Sequence, residues 1–322
     1  MRLGLRVSGH RTAAEAVRLA VAAEHAGVQE LWLTEDYLER GIFAVAGAVA
    51  GATSDVTIGL GVVNPFSRHP GLIAMEVAAL DEIAGGRVVL ALGGSNERWM
   101  SDWLGIDFAK PLGAVREARQ VIDDLLSTGA ADFAGERFSV HARMVFQPTH
   151  RTPIWYGVKG PRGLDAARTD ADGVVLSVLS SPSYVRWVRD IVGDGVTLAA
   201  FVEVALSGDA ATARDSLRPF VARFLGMHGD QPITREAGLD AAAAGRFRAA
   251  LLTGTPDVAA VTDDVLNRFV VAGDLAECVA GFHRFADAGL HTLIVGDRPD
   301  EPIDAVVDSA VSCWTAAGFP LA

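Results

Sequence analysis

Residues 57–70 read T-I-G-L-G-V-V-N-P-F-S-R-H-P, and the fold that the sequence predicts is centred on this stretch. It begins as an apolar strand and breaks at Pro65, because proline has no N–H to give to a sheet. Polar residues follow, and Pro70 suits the first turn of a helix. This order is typical of a parallel α/β sheet with a site at the carboxyl end of a strand. Gly59 and Gly61 weaken a strand unless the backbone must bend or approach a ligand, so we interpret the stretch as one wall of a cofactor site.

Outward from this stretch, short apolar strands alternate with segments that have apolar residues at helical spacing. The predicted strands cover residues 3–7, 30–34, 57–63, 87–92, 153–158, 173–178, 197–206 and 291–295. Eight βα units predict a parallel sheet closed into a (β/α)8 TIM barrel. A doubly wound sheet would carry a glycine-rich fingerprint after its first strand, and residues 8–12 (S-G-H-R-T) do not. We therefore predict one barrel domain over residues 1–322, with insertions at about 129–152 and 226–268.

Composition restricts the function. The chain has 322 residues, half of them apolar, and charged or glycine residues interrupt every apolar run before it reaches the length of a membrane span. A net charge of -12 argues against a nucleic-acid or anionic-membrane partner. Cys278 and Cys313 lie in helical patterns without a CxxC motif, so we expect buried, reduced thiols in a cytoplasmic protein.

Polar residues cluster where the predicted strands end, which is where such barrels hold their sites. In strand order these residues are Arg6 and Ser8; Glu35 and Asp36; Asn64, Arg68 and His69; Gly94, Ser95, Asn96 and Glu97; Lys159, Gly160, Pro161 and Arg162; Ser177; Glu203; and Gly296, Asp297 and Arg298.

Several of these groups have ordinary alternatives. Residues 157–163 (G-V-K-G-P-R-G) carry two cations and open a helix, which suits a phosphate, but a simple helix-capping loop would look the same. The alternative for Glu35 and Asp36 is that they are solvated acids or a helix cap, and Arg68-His69 taken alone is more often a pair of surface residues. We expect no metal site, because His69 has no second ligand at useful spacing.

Taken together, several segments resemble the luciferase-like flavin and deazaflavin oxidoreductases, most closely the coenzyme F420-dependent methylenetetrahydromethanopterin reductases and their relatives. The segments are L-W-L-T-E-D-Y (31–37), I-G-L-G-V-V-N-P-F-S-R-H-P (58–70), L-D-E-I-A-G-G-R-V-V-L-A-L-G (80–93), L-G-I (104–106), Y-G-V-K-G-P-R-G-L (156–164), A-D-G-V-V-L (171–176) and F-V-V-A-G-D (269–274). They occur in the order of the family and cover nearly the whole chain.

The resemblance implies a TIM barrel with coenzyme F420 lying across the strand ends, and a homodimer. It implies a non-prolyl cis peptide at Gly61-Val62, with the bulged backbone against one face of the deazaflavin ring. The residues that it assigns to cofactor binding are Gly61, Val62, Asn64, Gly94, Asn96, Lys159, Gly160, Pro161, Arg162 and Ser177, with the Gly160 loop at the phosphate.

The sequence departs from the family pattern on the substrate side. The family commonly has Asp-His after the second strand, where this chain has Glu35-Asp36, and an acid of the first strand is replaced by Arg6. The acid after the fourth strand becomes Asn96, followed by Glu97. We expect Glu35, Asp36 and Glu97 to act as catalytic acids, and Arg6 to favour an anionic or neutral substrate.

The resulting hypothesis is an F420-dependent oxidoreductase that transfers a hydride between the deazaflavin C5 and an unidentified small organic molecule. Two alternatives remain at this point: an FMN-dependent luciferase-like monooxygenase, and a barrel that binds cofactor without turnover.

Overall fold

A computed structural model describes residues 1–298 and 300–322 and confirms the predicted barrel. Eight parallel strands close on themselves in chain order, with the last paired to the first. They are β1 (Arg2–Val7), β2 (Glu30–Leu33), β3 (Thr57–Val63), β4 (Val88–Gly93), β7 (Ile154–Gly157), β8 (Gly173–Leu176), β9 (Thr197–Val202) and β12 (Thr292–Val295).

Helices connect these strands and cover the outside of the barrel. They are α1 (Ala13–His25), α2 (Ile42–Ala52), α3 (Pro70–Ala84), a π-helical turn (Arg98–Trp103), α4 (Pro111–Thr128), α5 (Pro161–Asp170), α6 (Pro182–Val192), α7 (Ala210–His228), α8 (Pro232–Arg235), α9 (Ala241–Leu252), α10 (Asp263–Phe269), α11 (Leu275–Asp287) and α12 (Ile303–Ala316). The capping box expected at Thr12 and Glu15 is confirmed at the start of α1. No helix in the described ranges is both long and apolar enough to cross a membrane.

Two further pieces of sheet lie outside the barrel. An antiparallel hairpin, β5 (Ala130–Ala134) with β6 (Ser139–Arg143), falls within residues 129–152. The prediction of one long strand over 197–206 is wrong, because the chain leaves the barrel at Glu203. Its continuation, β10 (Val204–Leu206), pairs with β11 (Val271–Gly273) instead. Helices α8, α9 and α10 lie between them, and α9 and α10 pack on α7 in a second apolar core.

Three large aromatic side chains and several smaller apolar ones fill the barrel interior, which is a packed core and not a pore. The Trp32 ring lies 5.3 Å from that of Trp155 and 6.4 Å from that of Phe201, measured between centroids. A Cβ atom added at Gly59 would lie 2.4 Å from the Trp32 ring, and one at Gly61 would lie 2.8 Å from it. The glycines of β3 therefore make room for Trp32, a role that the sequence interpretation, which assigned them to a bend or a ligand, did not foresee.

The carboxyl end of β3 is irregular. The Gly61–Val62 peptide is cis, and the register with β4 shifts between Gly61 and Val63. The Val62 side chain then lies over the ends of the next two strands, where a Cβ at Gly93 would approach it to 2.7 Å and one at Gly157 to 2.3 Å. Because both positions are glycine, the Val62 side chain can pack closely against the mouth of the barrel.

Candidate functional site

A buried ion-pair network fills the rim above β1, β9 and β12. The Arg6 guanidinium donates from Nη1 to Glu203 (2.8 Å) and from Nε to Asp297 (3.1 Å). Asp297 also accepts from the Ser8 hydroxyl at 2.9 Å and from Arg11 Nε at 3.2 Å. Two guanidinium groups thus face two carboxylates, so the charges of this part of the rim balance.

Arg6 is consequently not available as the free cation that the sequence interpretation placed on the substrate side. Burial lowers the pKa of Arg6, but the attraction of Glu203 and Asp297 outweighs it and raises the pKa above its usual value. The guanidinium stays charged and paired. The charge of Arg6 therefore does not favour an anionic substrate, because the two carboxylates already neutralise it.

The end of β2 carries a second, smaller ion-pair cluster. Arg68 bridges Glu35, at 3.0 Å between Nη1 and Oε1, and Glu76 of α3, at 3.1 Å from Nε. Burial raises the pKa of Glu35 above its usual value, and the attraction of Arg68 does not cancel that effect. The other carboxylate oxygen, Glu35 Oε2, is buried without a hydrogen-bond partner among the described residues. Glu35 is therefore suited to hold a proton or to accept one from a ligand.

The other two candidate acids have different surroundings. Asp36 is half-buried and Glu97 is exposed. Neither side chain forms a hydrogen bond or ion pair with any residue that the structure describes. Beside Asp36, the Tyr37 hydroxyl lies 3.0 Å from the Ser67 hydroxyl, and burial raises the pKa of Tyr37 to about 12. The structure thus places Glu35 and Asp36 together at one strand end and Glu97 two strands away.

Asn64, His69 and Asn96 hold loops in place. Asn64 Oδ1 accepts from two backbone N–H groups, those of Phe66 (2.9 Å) and Ser67 (3.0 Å), and so fixes the turn after β3. His69 Nδ1 accepts from the Gly71 N–H at 3.1 Å and caps α3. Asn96 Oδ1 accepts from the Trp99 N–H at 3.0 Å at the start of the π-helical turn. For Asn64 and Asn96, the side-chain oxygen is already used, which leaves the Nδ2 group to contact a ligand.

Orphaned hydroxyl groups lie between these loops. Thr34 Oγ1, which follows β2, and Ser95 Oγ, which follows β4, are buried without a hydrogen-bond partner in the described part of the chain. Ser95 also has a positive φ of 61°, and Gly94 before it lines the cleft described next. Ser177 follows β8, where its carbonyl accepts from the Ser180 hydroxyl at 2.7 Å. Buried hydroxyls without partners are costly unless a ligand satisfies them.

A cleft of about 550 Å³ opens beside the ends of β4 and β7. Its walls are the first turns of α4 and α5, which begin at Pro111 and Pro161 and have no side-chain cap among residues 1–298 and 300–322. Both first turns line the same cleft, and the free N–H groups and dipoles of two helix N-termini favour an anion there. Gly160 has open space where a Cβ would be, so nothing obstructs a ligand at the α5 end.

Lys159 supplies a cation to the same cleft. Burial lowers the pKa of Lys159 below its usual value, and no acidic side chain of the described residues pairs with it. Its titratable neighbour is His228, whose pKa is lowered to about 3 by burial and by Lys159. The His228 imidazole is thus neutral and its Nε2 lies 3.0 Å from the Val178 carbonyl. A partly buried ammonium group without an acidic partner is a site for an anionic ligand. Arg162 is exposed at the entrance.

The sequence interpretation missed the α4 side of this cleft. Lys110, Pro111 and Gly113 line it together with the Gly160 loop, although about fifty residues separate the two segments. A signal was present, since K-P-L-G (110–113) has the same order of cation, proline and glycine as K-G-P-R-G (159–163). The missing information was that parallel strands β4 and β7 are neighbours, which places the two helix starts side by side.

No group of three or more His, Cys, Asp or Glu side chains in the described ranges could hold a metal ion. The donors at the strand ends are instead backbone N–H groups, hydroxyls, amides and one lysine. This set suits an organic ligand that carries an anionic group.

Comparison with known proteins finds similar sequences along most of the chain. The family model described as luciferase-like monooxygenase matches residues 1–292. The 5,10-methylenetetrahydromethanopterin reductase of Methanolobus tindarius is 27% identical over 292 residues, covering 86% of this chain and 88% of that protein. The F420-dependent glucose-6-phosphate dehydrogenase of Amycolatopsis mediterranei is 26% identical over 302 residues, with 86% of each chain covered.

Among solved structures, the coenzyme F420-dependent tetrahydromethanopterin reductase of Methanopyrus kandleri has a TM-score of 0.85 and 22% identity, with 97% of each chain covered. This likeness shows that the two proteins share the fold. The match to the family model over residues 1–292, nine-tenths of the chain, establishes that the chain belongs to the luciferase-like monooxygenase family.

Proposed function

We propose that this protein is a coenzyme F420-dependent oxidoreductase that transfers a hydride between the cofactor and a small organic molecule. The observation that carries the proposal is the cleft between α4 and α5, where two uncapped helix starts meet the unpaired Lys159. Relatives named for F420 dependence, such as the glucose-6-phosphate dehydrogenase of Amycolatopsis mediterranei, support the choice of cofactor.

The residues at the strand ends fit such a cofactor. Lys159, the Gly160 loop and the first turn of α4 would hold its phosphate. The orphaned hydroxyls Thr34 Oγ1 and Ser95 Oγ and the amide groups of Asn64 and Asn96 would contact its polar chain and ring. Val62, lying flat over the barrel mouth, would support one face of the ring. When bound, F420 supplies a carbon centre, C5, that accepts or donates the hydride.

FMN is the alternative cofactor, because it too joins a tricyclic ring to a phosphate through a ribityl chain. Thermal shift and visible absorption titrations with F420 and with FMN separate the two. We expect F420 to raise the melting temperature at micromolar concentration, and FMN to have a much smaller effect. Saturation by FMN with no response to F420 would refute the proposal.

Turnover distinguishes an enzyme from a barrel that only binds cofactor. We propose Glu35 as the proton donor or acceptor for the substrate, with Asp36 and Glu97 as further candidates, because Glu35 combines a raised pKa with an unpartnered buried oxygen. Arg68 pairs with the other carboxylate oxygen, Glu35 Oε1, and holds the carboxyl group in position.

Glu35→Gln is expected to lower kcat by about 100-fold, within the usual contribution of a general acid, and to leave F420 affinity unchanged. If Glu35 donates the proton, wild-type activity falls as pH rises through its pKa, which lies above the usual glutamate value. This decrease in activity, the alkaline limb of the pH profile, should be absent from the residual activity of the variant. A full rate with Glu35→Gln, or the same limb in both pH profiles, would assign proton transfer to Asp36 or Glu97.

We propose a homodimer formed through α2 and α3. The solvent side of α2 consists of Phe43 and five small residues (Ala44, Gly47, Ala48, Gly51 and Ala52), and on α3 it includes Leu72 and Met75, each about half exposed. A continuous apolar face of this kind marks an interface. Ala48→Arg is expected to convert a dimer into a monomer in light scattering, whereas Leu252→Arg on α9 should not change the mass. A wild-type monomer would contradict the proposal.

We infer that the protein acts in the cytoplasm, which its two free, buried cysteines support. Recovery of the native protein mainly from a secreted fraction would contradict this.

A further inference from the structure

Aromatic side chains from the segments that follow β2 and β4 line the rim of the barrel. The Tyr37 ring, after β2, lies 5.6 Å from the Trp99 ring at an angle of 61°, and Trp99 lies 6.3 Å from Trp103. Trp103 is 47% exposed. Leu38, which follows Tyr37 in the sequence, is 82% exposed and has a φ of 68°. We call Tyr37, Trp99 and Trp103 the aromatic wall. Large apolar side chains exposed at the mouth of a site are costly in water and are a common feature of ligand recognition.

Hydrogen bonds hold Tyr37 and the backbone that carries Trp99 and Trp103 in place. The Tyr37 hydroxyl lies 3.0 Å from that of Ser67, and Asn96 accepts from the Trp99 N–H at 3.0 Å. The π-helical turn is closed behind Trp103 by a 2.8 Å hydrogen bond from the Ile106 N–H to the Met100 carbonyl. A wall fixed in this way loses little conformational entropy when a flat ligand binds against it.

The charges around the wall disfavour an anionic substrate. Arg6 and Arg68, partly buried cations at the ends of β1 and β3, are each paired with two carboxylates. Arg98 lies 5.5 Å from the centre of the Trp103 ring, but it is exposed and water screens its charge. A phosphate placed here would find no desolvated cation that is free to pair with it, unlike one at Lys159 in the cleft.

We propose that the aromatic wall selects an uncharged substrate with a planar aromatic or conjugated surface, which stacks on Trp99 and Trp103. This inference rests on the proposed function, because it treats the wall as the substrate side of a site whose phosphate end is occupied by the cofactor. It names Trp103 as a residue that determines specificity rather than one that takes part in chemistry.

Equilibrium dialysis with two probes tests the inference: 2-acetylnaphthalene, which is planar and uncharged, and glucose 6-phosphate. The F420-loaded protein is expected to bind 2-acetylnaphthalene at least about tenfold more tightly, and Trp103→Ala to weaken that binding about tenfold, a typical stacking contribution. Leu252→Ala, which removes a similarly exposed apolar side chain from α9, serves as the control and should change nothing.

Two outcomes would overturn the inference: unchanged binding of 2-acetylnaphthalene in Trp103→Ala, or preference of the wild type for glucose 6-phosphate. Unchanged binding accompanied by a loss of dimer mass would instead make the wall a subunit contact. F420 affinity is measured separately by visible absorption. If F420 does not bind while 2-acetylnaphthalene still binds through Trp103, the proposed function fails and the inference stands.

Discussion

Lys159→Ala is expected to weaken F420 binding by about 10- to 100-fold, which corresponds to the loss of one hydrogen bond to a charged group. The ammonium group belongs to a partly buried side chain and has no acidic partner in the described part of the chain, so a bound phosphate would be its counter-ion. Binding of the deazaflavin riboside, which lacks the phosphate, should not change. Fluorescence titration of the two compounds against both proteins measures the difference.

A matched control is available in Lys110→Ala. Lys110 lines the same cleft, but it is exposed and paired with Glu136, so its loss should weaken binding less than about threefold. Equal losses with F420 and with the riboside in Lys159→Ala would show that the lysine supports the fold of the site rather than the phosphate.

Lys159 should stabilise the complex with cofactor but destabilise the cofactor-free protein. Burial lowers the pKa of Lys159 in the folded state, so the unfolded state binds this proton more tightly. The stability of the cofactor-free protein therefore increases as the pH rises through the folded-state pKa. Lys159→Met, which keeps the length of the side chain, is therefore expected to unfold at a higher temperature than the wild type at neutral pH. A residue that destabilises the free protein and stabilises the complex is typical of a binding site.

The second large effect is expected for Gly59→Ala. The added methyl group would lie 2.4 Å from the Trp32 ring. Trp32 cannot move aside, because Trp155 and Phe201 pack against it and its Nε1 donates to Glu30 at 2.8 Å. We expect a loss of about 3 kcal/mol or more in the free energy of unfolding, at the upper end of the range for overpacked cores.

Denaturation with urea compares this variant with Gly245→Ala. Gly245 lies on the exposed side of α9 with nothing within 4 Å of an added Cβ, so alanine there should be neutral or stabilising by about 0.5–1 kcal/mol. Shortening the partner, in Gly59→Ala with Trp32→Leu, should recover part of the loss. A wild-type midpoint in Gly59→Ala would show that the barrel interior is looser than the packing around Trp32 indicates.

The sequence was sufficient to predict the barrel, because alternating strands and helices are local patterns that repeat eight times. It was also sufficient to list the polar residues at the strand ends. It did not reveal which of these residues contact each other. Arg6 looked like a free cation because Glu203 and Asp297, which neutralise it, lie about 200 and 290 residues away.

The glycines of β3 illustrate the same limit. A glycine in a strand signals that a side chain is not tolerated there, and it does not say what occupies the space. Trp32 occupies it from the neighbouring strand, which becomes evident only when the register of β2 against β3 pairs Trp32 with Gly59. The second helix start at Pro111 was missed for a related reason, since its relation to Pro161 depends on the order of strands in the barrel.

The ion-pair network at Arg6 also has a consequence for the order in which contacts form during folding. Arg6 lies on β1 and Arg11 follows it, whereas Asp297, which both of them bind, follows β12. Pairing of β12 with β1 closes the barrel. Until that pairing forms, the sheet has open edges and the two arginines lack their shared carboxylate. Closure of the barrel and completion of the charged network at its mouth are therefore one event, which joins segments almost 300 residues apart.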